Sequence, residues 1–173
     1  MTATRFDKLT FEPMRETHLD QVMAIEEVCF SNPWSRVSFL LDLYSQDACC
    51  VVVRLEDTVV GYIMGWFVLD ELHINNIAVH PGYQRRGLGE RLLQFLLDRA
   101  VELGSHRAVL ELRASNKAAR RLYEKRGFRQ TAVRKSYYRC PTENAVLMSR
   151  EFTPSSEEDP PSLEVRDGVV SKG

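Results

Sequence analysis

Residues 89–103 constrain this chain more than any other segment. Leu92, Leu93, Phe95, Leu96, Leu97, Ala100 and Leu103 follow the spacing of one helical face, and Gly104 supplies a C-terminal stop. A helix with so broad an apolar face must lay it on another apolar surface. The segments before it offer one: residues 49–54, 59–68 and 72–79 are rich in β-branched residues, and Glu56-Asp57-Thr58 joins the first two as a hairpin. The third run breaks its alternation at Asn75 and Asn76, where two polar residues take opposite faces, and this predicts a β-bulge. His80-Pro81-Gly82 then ends it.

The remaining elements extend this frame. Residues 11–14 read as a short strand and 18–29 as a helix, with Leu19, Val22, Met23, Ile25 and Glu26 at helical spacing. Ser31-Asn32-Pro33-Trp34 interrupts the helix, and Ser35 caps a second one running to about Tyr44. Residues 108–113 form a strand. Residues 116–126 form a helix opened by Ser115 or Asn116 and closed by Gly127, and residues 128–138 with 145–152 form a last hairpin. This order predicts an α/β (α+β) fold, a mixed sheet with helices on both faces, in a single domain over residues 1–152. Residues 153–173 combine Pro154, Pro160 and Pro161 with serines and acids and have few large apolar side chains, so a disordered acidic tail is expected.

Several function classes are set aside at this level. The sequence has no apolar run long enough to cross a bilayer and no secretory signal at its start, so a cytoplasmic protein without a membrane partner is expected. Cys29, Cys49, Cys50 and Cys140 form neither a C-x-x-C pair nor a zinc-ligand spacing, so no metal and no disulfide is expected, and Cys140 is the candidate reactive thiol. His18, His73, His80 and His106 make no evident pairing with a Ser or Cys nucleophile, which speaks against a covalent acyl-enzyme. The net charge of -1 hides an acidic tail and a mildly basic remainder. From Arg113 to Arg139, basic residues face the single acid Glu124. This stretch suits an anionic ligand or is a solvated face; without interleaved stacking aromatics, nucleic acid is not expected as the ligand.

The sharpest functional signal is Gln84, Arg85, Arg86, Gly87, Leu88 and Gly89 at the mouth of the long helix. Free backbone N–H groups and the positive end of the helix dipole meet there, glycines admit positive φ and close approach, and the arginines add charge. A diphosphate fits that chemistry. A P-loop does not, because Gly89-Glu90-Arg91 stands where G-K-[ST] is required. A dinucleotide fingerprint fits poorly: Leu92 replaces its third glycine and hairpins precede it, although Glu111 lies at the distance of a ribose-binding acid. A glycine turn that merely starts a helix remains open.

Residues 84–89 followed by Arg91-Leu92-Leu93, then Leu110-Glu111-Leu112-Arg113-Ala114-Ser115-Asn116 and Leu122-Tyr123-Glu124-Lys125-Arg126-Gly127-Phe128, resemble the GNAT superfamily. Within it, the chain is similar to the bacterial ribosomal-protein alanine N-acetyltransferases. Phe30 with Pro33-Trp34-Ser35, Asn76-Ile77-Ala78-Val79 and Tyr137-Tyr138 add to the likeness, which spans about residues 11–150. The resemblance implies a mostly antiparallel sheet whose fourth and fifth strands, residues 72–79 and 108–113, splay apart to admit acetyl-CoA as co-substrate. It implies pantetheine contacts along Ile77, Ala78 and Val79, a diphosphate site over Gln84 to Gly89, and a further pantetheine contact at Asn116, which is equally readable as a helix N-cap.

The resemblance also assigns the chemistry. An α-amino group has a pKa of about 7.7–8.0 and must lose a proton to attack a thioester. Glu111 matches the family's general base, acting directly or through water; as a carboxylate inside an apolar run it is expected to be buried and raised in pKa, or else to be a solvated Glu or one paired with Arg113. Tyr123 matches the general acid for the departing thiolate, or is a core aromatic, and the Val79 N–H would meet the oxyanion. The acceptor would lie between Trp34 and Tyr137-Tyr138, the latter also readable as ordinary cross-strand aromatics. Where relatives often read Glu-Asp-Ala, this chain has Glu143-Asn144-Ala145. The expected partner is a protein N-terminus, the N-terminal alanine of a small-subunit ribosomal protein, acted on by a monomer. Other protein N-termini or small amines, and a non-catalytic CoA-binding module, are the alternatives.

Overall fold

The β-branched runs and the amphipathic helices condense as their periodicities require. A computed structural model describes residues 8–152, so the expected tail at 153–173 lies outside the described residues. In chain order the elements are β1 (Leu9–Pro13), α1 (Leu19–Cys29), α2 (Arg36–Leu43), β2 (Ala48–Leu55), β3 (Thr58–Val68), β4 (Glu71–Val79), α3 (Leu88–Glu102), β5 (Arg107–Arg113), α4 (Lys117–Lys125), β6 (Arg129–Arg139) and β7 (Thr142–Glu151). A 3-10 turn, Glu16–His18, leads into α1, and a second, Pro81–Tyr83, follows β4. Ser35 caps α2 as expected, its hydroxyl accepting from the Ser38 N–H at 3.2 Å.

The strands make one seven-stranded sheet in the order β1-β2-β3-β4-β5-β7-β6, antiparallel except where β4 meets β5. Its two faces bury two separate cores. Under α3 lie Val51, Val53, Ile63, Leu72, Leu110 and Leu112, which receive Leu92, Leu93, Leu96, Leu97 and Ala100; Tyr123 and Phe128 close the same core beside α4. On the opposite face Leu19, Val22 and Ile25 of α1 and Phe39 of α2 pack on Val52, Tyr62, Met64 and Ala78. Each fully buried leucine contributes roughly 1.5–3 kcal/mol, so α3 alone anchors the sheet strongly. Two residues expected on the α3 core face are not in it: Phe95 is 41% exposed and Leu103 is 52% exposed. At 100° per residue Phe95 falls to the margin of the stripe, where its ring stacks on Phe11, and Leu103 lies past the last turn.

The hairpin at Glu56 and Asp57 forms as expected. The bulge also forms: Met64 pairs with Asn76 and Gly65 with Ile74, so Asn75 is the extra residue. Its consequence is topological. β4 and β5 pair only from Glu71 with Arg107 to Ile74 with Leu110, and beyond those residues they diverge. The main chain from Asn75 to Val79 thus has no strand partner on the β5 side, and a gap opens in the middle of the sheet.

Candidate active site

The gap is the floor of a cleft of about 750 Å³. Five elements and a loop build its walls: α1 and the 30–35 segment on one side, Ile74 to Ile77 of β4, Glu111 to Arg113 of β5, and the start of α4 with Tyr123, closed by Tyr138 of β6. Of the residues singled out in the sequence, the cleft brings together Trp34, Ile77, Glu111, Asn116, Tyr123 and Tyr138. Ala78, Val79, Tyr137 and the turn from Gln84 to Gly89 do not line it. Ala78 points into the core beneath α1 and α2, and Tyr137, 48% exposed, sets its ring edge-on to Tyr138 at 5.2 Å. Tyr137 and Tyr138 are therefore neighbours around a bulge rather than partners across strands.

Glu111 does not meet the burial expected of it. Leu110 and Leu112 take the core face of β5, which leaves Glu111 on the open face with its side chain 32% accessible. Nor does it pair with Arg113. The Arg134 guanidinium donates to its Oε1 at 2.8 Å, while Arg113 lies 4.2 Å over the Tyr138 ring and donates to the carbonyls of Cys140 and Pro141 at 3.2 Å. Strand spacing put Glu111 and Arg113 on one face correctly but could not show that a hairpin 23 residues on delivers a competing arginine. The base candidate is thus held in place by an ion pair rather than selected by desolvation.

Tyr123 is 5% exposed, set edge-on to Phe128 at 5.5 Å, and lines the cleft. The core-aromatic reading holds, and the same residue also reaches the cleft. Among the described residues no protein group hydrogen-bonds that hydroxyl. Burial pushes its pKa up, so it keeps its proton at any working pH. Tyr138 is raised as well, by burial first and then by the Glu111 charge.

Asn116 is the N-cap of α4, its side-chain oxygen accepting from the Ala119 N–H at 3.1 Å. Among the described residues no protein group accepts from its amide nitrogen. Asn144 is also engaged locally: its Oδ1 accepts from the Ser136 N–H at 2.9 Å, beneath a bulge in which residues 135–137 span the step from Arg134 to Tyr138. A carboxylate could accept that bond equally, so the departure leaves the bulge intact. Glu143 accepts from the Ser115 hydroxyl at 2.6 Å and its N–H at 3.0 Å, which holds its pKa below the usual 4.5 and ties the last hairpin to the start of α4.

The glycine turn sits at the end of β4. Gln84 donates from Nε2 to the Val79 carbonyl at 2.9 Å, so its side chain fastens the turn to the strand instead of facing outward. Arg85 takes φ 58° and Gly87 φ 77°, the left-handed geometry that turns successive N–H groups inward, and α3 begins at Leu88. A Cβ at Gly89 would meet Leu122 and Val79 only at 3.6 and 3.9 Å, so nothing in the protein itself demands glycine there. Arg86 lies 5.9 Å from the centre of the Tyr83 ring. The gap for a thin arm, the turn with its inward N–H groups, and the arginines at its rim suit a nucleotide diphosphate carrying a pantetheine chain.

Sequence reading missed one cleft residue and one partner of a cleft residue. Arg134, which pairs with Glu111, is grouped there with the basic stretch. Glu26 is 1% exposed and accepts bonds from Trp34, Tyr62 and Asn76. Its signal was present: a carboxylate four residues after Val22 and seven after Leu19, inside the apolar stripe of α1. Among the described residues no His, Cys, Asp and Glu cluster could hold a metal, and no helix is long and apolar enough to cross a membrane.

The profile of the Acetyltransferase (GNAT) family matches residues 19–128. The ribosomal protein bS18-alanine N-acetyltransferase of Salmonella typhimurium is 35% identical over 144 residues, covering 81% of this chain and 95% of that protein. The crystal structure of the ribosomal-protein-S18-alanine N-acetyltransferase from Escherichia coli superposes with a TM-score of 0.80 at 32% identity, over 87% of this chain and 97% of that one. Arabidopsis thaliana Naa50, solved with a bisubstrate analogue CoA-Ac-MVNAL, shares the fold with a TM-score of 0.74 at 20% identity, over 84% of this chain and 99% of its own.

Proposed function

The chain belongs to the GNAT acetyltransferase family, and from that premise we propose that it transfers an acetyl group from acetyl-CoA to the N-terminal alanine of a small-subunit ribosomal protein in the cytoplasm. One observation carries the reading. Where β4 and β5 part beyond Ile74 and Leu110, Glu111 and Tyr123 come to the same cleft, and the turn ahead of α3 stands at the end of the strand that borders it. The relatives named for acetylating ribosomal protein bS18 support the acceptor.

In this reading acetyl-CoA supplies the thioester. The main chain of Ile77 and Val79, which has no strand partner on the β5 side, and the Asn116 amide hold the pantetheine arm, and the N–H groups from Arg85 to Gly89 hold the diphosphate. Glu111 takes the proton of the α-amine, directly or through water, as the nitrogen forms its bond to the thioester carbon. The Arg134 guanidinium holds that carboxylate at the wall of the cleft. The Val79 N–H serves the oxygen on which charge develops. Tyr123 donates its hydroxyl to the departing sulfur as the carbon–sulfur bond breaks; its buried proton is always available, and its hydrogen bond strengthens as charge builds on the thiolate. Trp34 and Tyr138 flank the acceptor peptide.

Incubation with acetyl-CoA and a panel of N-terminal peptides, read by mass spectrometry, tests the acceptor. Acetylation of the α-amine of an Ala-first peptide is expected. Reaction with other peptides while the Ala-first one is ignored would remove the ribosomal assignment, and no CoA release with any amine would favour a binding module.

A further inference from the structure

Glu26 stands outside that mechanism, yet it is among the most buried ionisable side chains described and lines the same cleft as Glu111. Its two carboxylate oxygens face different parts of the site. Oε1 accepts from the backbone N–H of Trp34 at 2.9 Å. Oε2 accepts from the hydroxyl of Tyr62 and from Asn76 Nδ2 at 3.0 Å, and Asn76 also donates to the Tyr62 oxygen at 3.1 Å. Burial and the Glu26 charge push the Tyr62 phenol far up, so it stays a donor.

The rings close the circuit. Trp34 packs on Phe39 at 5.7 Å, and Phe39 meets Tyr62 edge-on at 5.8 Å. Trp34 is therefore fixed twice, by its backbone to Glu26 and by its ring through Phe39 to Tyr62, whose hydroxyl returns to Glu26. Asn76 belongs to the bulge that parts β4 from β5. One carboxylate thus joins the loop that carries Trp34 to the edge of the gap, and without it a half-buried N–H and the buried Tyr62 hydroxyl lose their acceptor, and Asn76 loses one of its two.

We propose that Glu26 is a positioning residue for the acceptor: it sets the distance between the Trp34 loop and the bulge, and so fixes where the peptide N-terminus meets the cofactor gap. The proposal rests on the acceptor reading given above. Its test combines kinetics on an Ala-first peptide, acetyl-CoA affinity by calorimetry, and exchange of the Trp34 amide measured by NMR without substrate, in Glu26→Leu, Glu26→Gln and Tyr62→Phe.

Glu26→Leu removes every acceptor, so the peptide KM should rise about tenfold or more, acetyl-CoA affinity should stay within about twofold, and Trp34 amide exchange should speed up at least about tenfold. Glu26→Gln keeps a carbonyl oxygen for Trp34, and its amide can donate to the Tyr62 oxygen or to a turned Asn76, so KM and exchange should return to within about threefold of wild type. A folded Leu variant with unchanged peptide KM, one that loses both substrates equally, or one impaired only in kcat would overturn the proposal. If Glu26→Leu does not fold, Tyr62→Phe decides, with a raised peptide KM at constant acetyl-CoA affinity in support and an unchanged KM against. If the wild type acetylates no peptide N-terminus, the acceptor reading fails, and Trp34 exchange still decides whether Glu26 holds the loop.

Discussion

Replacing Gly89 by alanine should move stability and cofactor affinity in opposite directions. Gly89 lies in the first turn of α3, outside the positive-φ set, and an added Cβ meets its nearest neighbours at 3.6 and 3.9 Å, ordinary van der Waals contact. Gly→Ala at such a site stabilises by about 0.4–1 kcal/mol, chiefly by restricting the unfolded chain. For a chain of this size that raises Tm by roughly 1–4 °C. The same methyl stands among the N–H groups assigned to the diphosphate. A hydrogen bond to a charged group contributes about 1.5–3 kcal/mol, so losing one weakens acetyl-CoA binding about ten- to hundredfold. Gly87 at φ 77° is the control, since alanine there costs about 1–2 kcal/mol of backbone strain and should lower both Tm and affinity. Thermal melts and calorimetry with acetyl-CoA read the two effects. A folded Gly89→Ala variant that binds acetyl-CoA within twofold of wild type would refute the diphosphate assignment, and a lowered Tm would refute the packing argument.

The thiols should separate under iodoacetamide at about pH 8 with peptide mapping. Cys140, exposed, should react first, and Cys50, pushed up to about 12 by burial and then by Asp42, should react last; the reverse order would contradict the burial described. Glu143 should show in acid. Its folded pKa lies below 4.5 because Ser115 hydrogen-bonds the carboxylate, so its contribution is complete above 4.5 and lost as pH falls through the lower folded value. Glu143→Gln should therefore lower Tm at neutral pH, with the gap from wild type closing at about pH 3 in paired melts, and a gap that widens in acid would reverse the assignment.

How much of this was legible in the sequence follows from the range of each interaction. The α3 stripe, the bulge at Asn75 and the cap at Ser35 are local patterns, and all three stand in the structure. Glu111 and Tyr123 were singled out through family spacing; Tyr123 lies in the core as one of its readings had it, but the burial weighed for Glu111 does not occur, since β5 alternation puts it on the open face and Arg134 reaches it from β6 across the intervening β7. Such a partner cannot be seen along one strand. Glu26 was visible as a charge on an apolar stripe, but its meaning needed Tyr62 and Asn76, 36 and 50 residues away in the chain.

The most direct test of the central claim compares α-amine acetylation of an Ala-first peptide by the wild-type protein and by Glu111→Gln, each with its acetyl-CoA affinity measured alongside. If Glu111 takes the amine proton, kcat should fall about 10²–10⁴-fold while acetyl-CoA binds as before. Turnover by Glu111→Gln at the wild-type rate would contradict the account.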